Sequence, residues 1–142
     1  MTPRQIDLIR TSWAAVEPIA DTAAAMFYQR LFELDPVLER LFARTDMARQ
    51  RTILMGTLAV VVKGLDKLDT IMPAVQALGR RHAGYGVRAR HYETVGTALL
   101  WTLERGLGEA FDAETGAAWA EAYTTLASVM IAAASEPDAA AA

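Results

Sequence analysis

The strongest constraint on this chain is the period of its apolar residues. They recur at steps of three and four, which places them on one face of a helix, and nowhere alternate at the period of two that a half-buried strand requires. The prolines punctuate this pattern where helices begin. Thr2-Pro3-Arg4-Gln5 offers an N-cap, a proline in the first position and a Gln three residues after the cap. Asp35-Pro36 repeats the device ahead of the short helical run VLERLF. Pro18 divides a first helix, about 3–16, from a second, about 19–34. A long helix follows over about 46–63, stopped near Gly64, and another over about 70–82 carries Pro73 in its first turn. The last two cover about 89–105, ending at Gly106 and Gly108, and about 113–134. No repeat or linker interrupts the series. The pattern predicts one all-α domain over residues 1–134, of roughly six or seven helices, followed by a tail, residues 135–142, expected to be disordered.

Composition narrows the function. At 142 residues the chain is long enough to bury a real core. Its 53% apolar and 22% charged residues are those of an ordinary soluble globular protein. The net charge is −3 and no basic block runs along the sequence, which argues against nucleic acid or an anionic membrane as partner. The absence of cysteine excludes disulfides, thiolate metal sites and cysteine nucleophiles, and suits the cytoplasm. The N-terminal MTPRQIDLIR is amphipathic with no signal-peptide core, and no apolar run has the length of a membrane span. A cytoplasmic protein is expected.

Three polar residues interrupt the apolar faces. In residues 47–65 the stripe Met47, Leu54, Leu58, Val61 and Leu65 has one vacancy, filled by Gln50. In residues 71–82 the stripe Ile71, Val75, Leu78 ends on His82. In the second helix Tyr28 follows the line of Ala24 and Leu31, beside Phe27 and Phe32. Burying such groups is costly unless each finds a partner. Singly, each has a structural explanation: a histidine in a last turn complements the helix dipole, as Arg80 and Arg81 also could, a tyrosine on an apolar face packs in the core, and a glutamine marks the edge of a stripe. Jointly they point elsewhere. No second histidine or carboxylate shares the face of His82, and one imidazole is a poor whole site for zinc, which takes three or four protein ligands. It suffices for a metal that already has four other ligands, as iron in a porphyrin does. The apolar side chains could line the slot such a group needs, and Tyr28 and Gln50 could hydrogen-bond a diatomic ligand on its far side.

The segments RTSWAAVEP (10–18), MFYQRLFELDPVLERLF (26–42), GLDKLDTIMPAVQALGRRHAGYGV (64–87), HYETVGTALL (91–100) and AWAEAYTTLASVM (118–130) make the match specific through their order and spacing. By them the chain resembles the bacterial single-domain globins, relatives of the globin half of flavohaemoglobins, over residues 3–131. The resemblance implies a globin fold around a pocket for haem b (iron protoporphyrin IX). It implies His82 as proximal iron ligand, its other ring N–H bonded to the Leu78 carbonyl, and Tyr28, Gln50 and Leu54 as the distal trio. Phe42 falls on the aromatic that wedges against the haem, and Val87, Tyr92 and Val95 fall on the proximal side and haem edge. Arg81 falls within reach of a propionate, with Arg80 the weaker candidate, while His91 reads as a cap or surface residue.

One departure bears on chemistry. In flavohaemoglobin-like globins a late glutamate joins the proximal histidine and a tyrosine in a hydrogen-bonded relay that makes the imidazole more basic. Tyr92 matches the tyrosine, but the matching late position here is Ala134, and Glu136 lies beyond it. The relay is expected to be absent, and with it a strong peroxidase-like or dioxygenase-like push. The length leaves no room for a flavin or nicotinamide domain and no G-x-G-x-x-G occurs, so turnover needs an outside reductase. The resemblance therefore implies reversible binding of oxygen, with nitric oxide and carbon monoxide as further ligands, by a monomer or dimer. Nitric oxide dioxygenation with a separate reductase, a haem-based gas or redox sensor, and a cofactor-free helical module are the alternatives.

Overall fold

The computed structural model describes residues 1–135, and among them every regular element is helical. The elements are α1 (Pro3–Val16), α2 (Ala20–Leu34), α3 (Met47–Lys63), α4 (Leu68–Gly84), α5 (Ala89–Leu107) and α6 (Ala113–Ser135). Short 3-10 helices lie at Glu17–Ile19, Pro36–Phe42 and Gly108–Ala110. The expected caps form. Thr2 Oγ1 accepts the Gln5 N–H at 3.1 Å while Gln5 Oε1 accepts the Thr2 N–H at 2.8 Å, and Asp35 accepts the Val37 N–H at 3.2 Å. Of the expected tail, Ser135 is the last residue of α6, and residues 136–142 lie outside the described residues.

α3 stops where expected, at Gly64, though Gly64 has φ −95° and does not adopt a left-handed conformation. A Cβ there would come within 2.7 Å of Ile71 Cγ2, where the chain turns into α4. Two other boundaries differ. α4 starts at Leu68, so Pro73 lies in its second turn, where its missing N–H leaves the carbonyl of solvent-exposed Asp69 without a helical partner. Gly106 lies inside α5, and Gly108, at φ 59°, is the residue that breaks it.

The core joins Ile9, Trp13 and Val16 of α1, Phe27, Tyr28 and Leu31 of α2, Leu99 and Leu103 of α5 and Trp119 of α6. α2 crosses α5, and α1 and α4 both lie on α6. Trp119 carries its indole N–H into this core, so it needs an acceptor. Ser12 Oγ supplies it at 2.8 Å and passes its own proton to the Leu8 carbonyl at 2.7 Å.

α3 packs on α1 and α2, whereas α4 is fastened mainly through α6, and the two helices barely touch each other. Their apolar stripes are consequently incompletely covered. Val62 alone is buried in α3, with Leu54, Met55 and Leu58 half-buried, and only Val75 and Gly79 are buried in α4. A stripe that is apolar but half-covered is the signature of a slot rather than of a closed helix pair.

The α4–α6 contact depends on one glycine. A Cβ on Gly79 would sit 2.4 Å from the Met130 carbonyl oxygen, a backbone atom that cannot swing aside. Gly79→Ala is therefore expected to destabilise the protein by about 1–3 kcal/mol in urea unfolding. Gly56→Ala serves as the comparison: it lies within α3, exposed, with nothing within 4 Å of its would-be Cβ. It should be neutral or stabilising by up to about 1 kcal/mol.

Candidate functional site

The aromatic residues of α2 and the 3-10 helix at Pro36–Phe42 fix Tyr28. Its ring packs edge-on against Phe27 at 5.0 Å and Phe42 at 5.5 Å, and tilted against Phe32 at 6.1 Å. Phe42 also meets Phe32 at 5.5 Å, so it acts as a wedge behind Tyr28. Gln50 is placed by the start of α3. Asp46 Oδ1 accepts the N–H groups of Ala48 and Arg49 at 3.1 and 3.3 Å, and the Asp46 carbonyl accepts the Gln50 N–H at 2.9 Å. From there Gln50 Nε2 donates to Tyr28 Oη at 3.0 Å. Leu54 follows one turn later, half-buried against the core.

That bond has a chemical consequence. Because Tyr28 Oη accepts from Gln50, its own proton stays available to another acceptor. Burial raises the tyrosine pKa and the Gln50 bond opposes this only in part, so the phenol stays protonated at neutral pH. Tyr28 is a held, neutral donor.

His82 is half-buried in the last turns of α4, its Nδ1 2.8 Å from the Leu78 carbonyl oxygen. A carbonyl only accepts, so Nδ1 carries the proton and Nε2 keeps its lone pair. Burial lowers the His82 pKa, the Leu78 bond partly restores it and the Arg81 charge lowers it again. Among the described residues no carboxylate acts on it. In the last turn of α6, Ala133 is buried and Ala134 exposed.

The chain then leaves α4 through a tight corner. The Val87 N–H bonds the His82 carbonyl at 3.0 Å, and Gly86 adopts φ 93°, a conformation that favours glycine. Val87, Tyr92 and Val95 are half-buried, and Arg80 and Arg81 are exposed. His91 is the cap expected, its Nδ1 accepting the Arg88 N–H at 2.9 Å; its ring is buried, at 7% exposure, and the Asp35 charge acts on it.

The sequence pattern passed over Tyr123. Its hydroxyl donates to the Tyr92 carbonyl, tying α6 to the start of α5, and burial pushes its pKa far up with the neighbouring Tyr92 adding to the effect. The only signal was Gly96, one turn beyond Tyr92, whose Cβ would come within 2.6 Å of the Tyr123 ring.

The donor set decides what the slot suits. No cluster of three or more His, Cys, Asp or Glu occurs among the described residues, so a bare metal ion has no cage. One neutral imidazole on a half-covered apolar helix suits a metal carried in its own macrocycle, which brings its other ligands. The comparisons agree with this chemistry. The sequence profile of the family described as Globin matches residues 25–130, more than half of the chain. The chain belongs to the globin family. Globins bind haem and, on its iron, small gases. This globin is 29% identical over 130 residues to a Flavohemoprotein of Bacillus subtilis and 31% identical over 133 residues to one of Vibrio cholerae. These matches cover 90% and 92% of this chain but only 33% and 34% of those proteins, so the chain spans about a third of their length. Neuroglobin-1 of Oncorhynchus mykiss is 28% identical over 143 residues, covering 92% of this chain and 90% of that protein. A bacterial globin from Campylobacter jejuni shares the fold, with a TM-score of 0.82 at 24% identity over 94% of this chain and 96% of that one. Among the described residues, no helix is long and apolar enough to cross a membrane.

The lowered His82 pKa sets a pH dependence in the haem-free protein. Between the ordinary value of 6.5 and the lower folded value, the unfolded chain binds the proton that folded His82 refuses, so stability rises with pH there and is lost as pH falls below 6.5. Buried His91 contributes with the same sign. Thermal melts of the apoprotein between pH 7 and 5 should show this loss, and His82→Gln should flatten part of it.

Proposed function

We propose that this globin, residues 1–134, holds haem b through His82 Nε2 and binds dioxygen reversibly. The observation that carries the reading is the His82–Leu78 hydrogen bond: it commits the Nδ1 proton, and burial keeps the ring neutral, so the Nε2 lone pair is left for iron. Bound haem would supply a ferrous iron able to combine with oxygen, nitric oxide or carbon monoxide. The protein supplies the surroundings. Tyr28 donates its free proton to a ligand that gathers negative charge, and Gln50 holds the phenol in place and offers a second donor. Leu54, Phe42, Val87, Tyr92 and Val95 keep water from the group, and Arg81, exposed next to His82, is placed to pair with a propionate. With no carboxylate acting on His82, the imidazole is a moderate donor, which favours reversible capture over bond cleavage. The lack of cysteine suits a cytoplasmic setting.

The likeness to the two Flavohemoproteins favours one further reading, nitric oxide dioxygenation sustained by a separate reductase. Rapid, repeated nitrate formation from nitric oxide by the oxygenated protein with a reductase present would support it. A single turnover followed by stalled oxidised protein would favour the carrier.

Two sets of variants test the main reading. His82→Ala should lose stable haem and regain it with added imidazole, whereas His91→Ala should keep the Soret band even if less stable. Equal loss from both would overturn the assignment. In stopped-flow displacement, Tyr28→Phe should raise the oxygen dissociation rate by roughly ten- to a hundredfold, since each bond to a charged acceptor is worth about 1.5–3 kcal/mol. Gln50→Leu should raise it less, because Gln50 loses more rotamer freedom when held and Tyr28 remains a donor without it. The double variant should be less than additive because the two side chains share a bond. Carbon monoxide release, involving less charge, should change little. Unchanged oxygen release in Tyr28→Phe would make Tyr28 a packing residue.

A further inference from the structure

The fold gathers arginines that the sequence keeps apart. Residues 36–51 hold Arg40, Arg44, Arg49 and Arg51 against Glu39 and Asp46, and residues 80–92 hold Arg80, Arg81, Arg88 and Arg90 against no acid. The two segments meet: a Cβ on Gly86 would lie 3.4 Å from Leu41 Cδ2, and the Asp35 charge acts on His91 at the start of α5. Together they carry a formal +6 on a chain of −3, so the remaining residues carry −9. The two segments are basic in a chain that is acidic as a whole, and Asp35 is an acid beside them.

Six of these eight arginines differ from those elsewhere. Arg4 pairs with Glu114 at 2.9 Å, Arg10 with Asp66 at 2.8 Å, Arg30 with Glu33 at 3.3 Å and Arg51 with Asp21 at 3.4 Å, and Arg105 stacks over the Trp101 ring at 5.1 Å. Arg40, Arg44, Arg49, Arg81, Arg88 and Arg90 are all exposed, and none of the six forms an ion pair among the described residues. Asp46, the acid nearest in sequence to Arg44 and Arg49, is occupied in capping α3. Nor would the cofactor use the charge up, since a haem has only two propionates.

We propose that this arginine face, at the mouth of the slot between the start of α3 and the end of α4, docks an acidic one-electron carrier protein. The inference rests on the haem reading above. In the docked pair the carrier gives up one electron, haem iron passes from ferric to ferrous, and no proton or group is transferred. Charge complementarity selects the partner. A compact acidic patch meets only the +6 face, whereas an extended polyanion or a vesicle surface also confronts the −9 remainder. Arginine suits such a contact because its fork pairs bidentately with carboxylates.

The test uses a reduced acidic plant-type ferredoxin as probe. Its reduction of the ferric holoprotein, followed by stopped flow, should slow steeply as salt rises. The variant Arg44→Gln/Arg49→Gln/Arg88→Gln/Arg90→Gln should be slower by roughly tenfold or more at low salt, with little salt dependence left. Lys63→Gln/Lys67→Gln, outside the face, should match the parent protein, as should all three proteins with photoreduced deazaflavin, which needs no docking. Oxidised ferredoxin titrated calorimetrically into the apoprotein reads the docking without haem, so failure to take up haem would overturn the earlier reading while the isotherm still decides the face. No binding by the parent, equal rates for the parent and the fourfold variant, equal losses in the two variants, or tighter binding of heparin or anionic vesicles than of ferredoxin would each overturn the proposal.

Discussion

The close approach of α4 to α6 at Gly79 and Met130 is the contact on which the site depends. It lets α4 lie on α6 with its backbone almost touching, and α4 has little other support. Because α4 is held from behind, its front need not pack on α3. The apolar faces of the two helices can then stand apart without either being loose. The open apolar faces are a consequence of where the packing is tight.

Within that frame each polar group is held by a bond that leaves one function free. Leu78 takes the Nδ1 proton of His82 and leaves Nε2. Gln50 donates to the oxygen of Tyr28 and leaves its proton. Burial acts on both rings in the same sense, since it disfavours charge whatever its sign. It lowers the histidine and raises the tyrosine, so both are neutral at pH 7. A neutral ligand on one side and a neutral donor on the other suit binding better than proton transfer.

Much of this was legible in the sequence. Apolar period and proline position located the helices because each is a local property, fixed by the next few residues. Tyr28, Gln50 and His82 stood out because each interrupts an apolar stripe, and His82 could be paired with Leu78 because both lie on one helix a turn apart. Gly64 and His91 were harder. Gly64 ends α3 as its sequence suggests, but the Ile71 side chain that a Cβ there would strike, and the Asp35 charge that acts on buried His91, come from other elements. Neither neighbour is local.

Spacing along the chain is enough to place the helices, their caps and the polar side chains that interrupt the apolar faces. Which of them share a surface depends on the fold. It tied Tyr123 to Tyr92, 31 residues away, and set Gln50 against Tyr28, 22 residues away. It also brought two arginine-bearing segments together, where Gly86 meets Leu41. The reason is that charge is read along a sequence but acts through space.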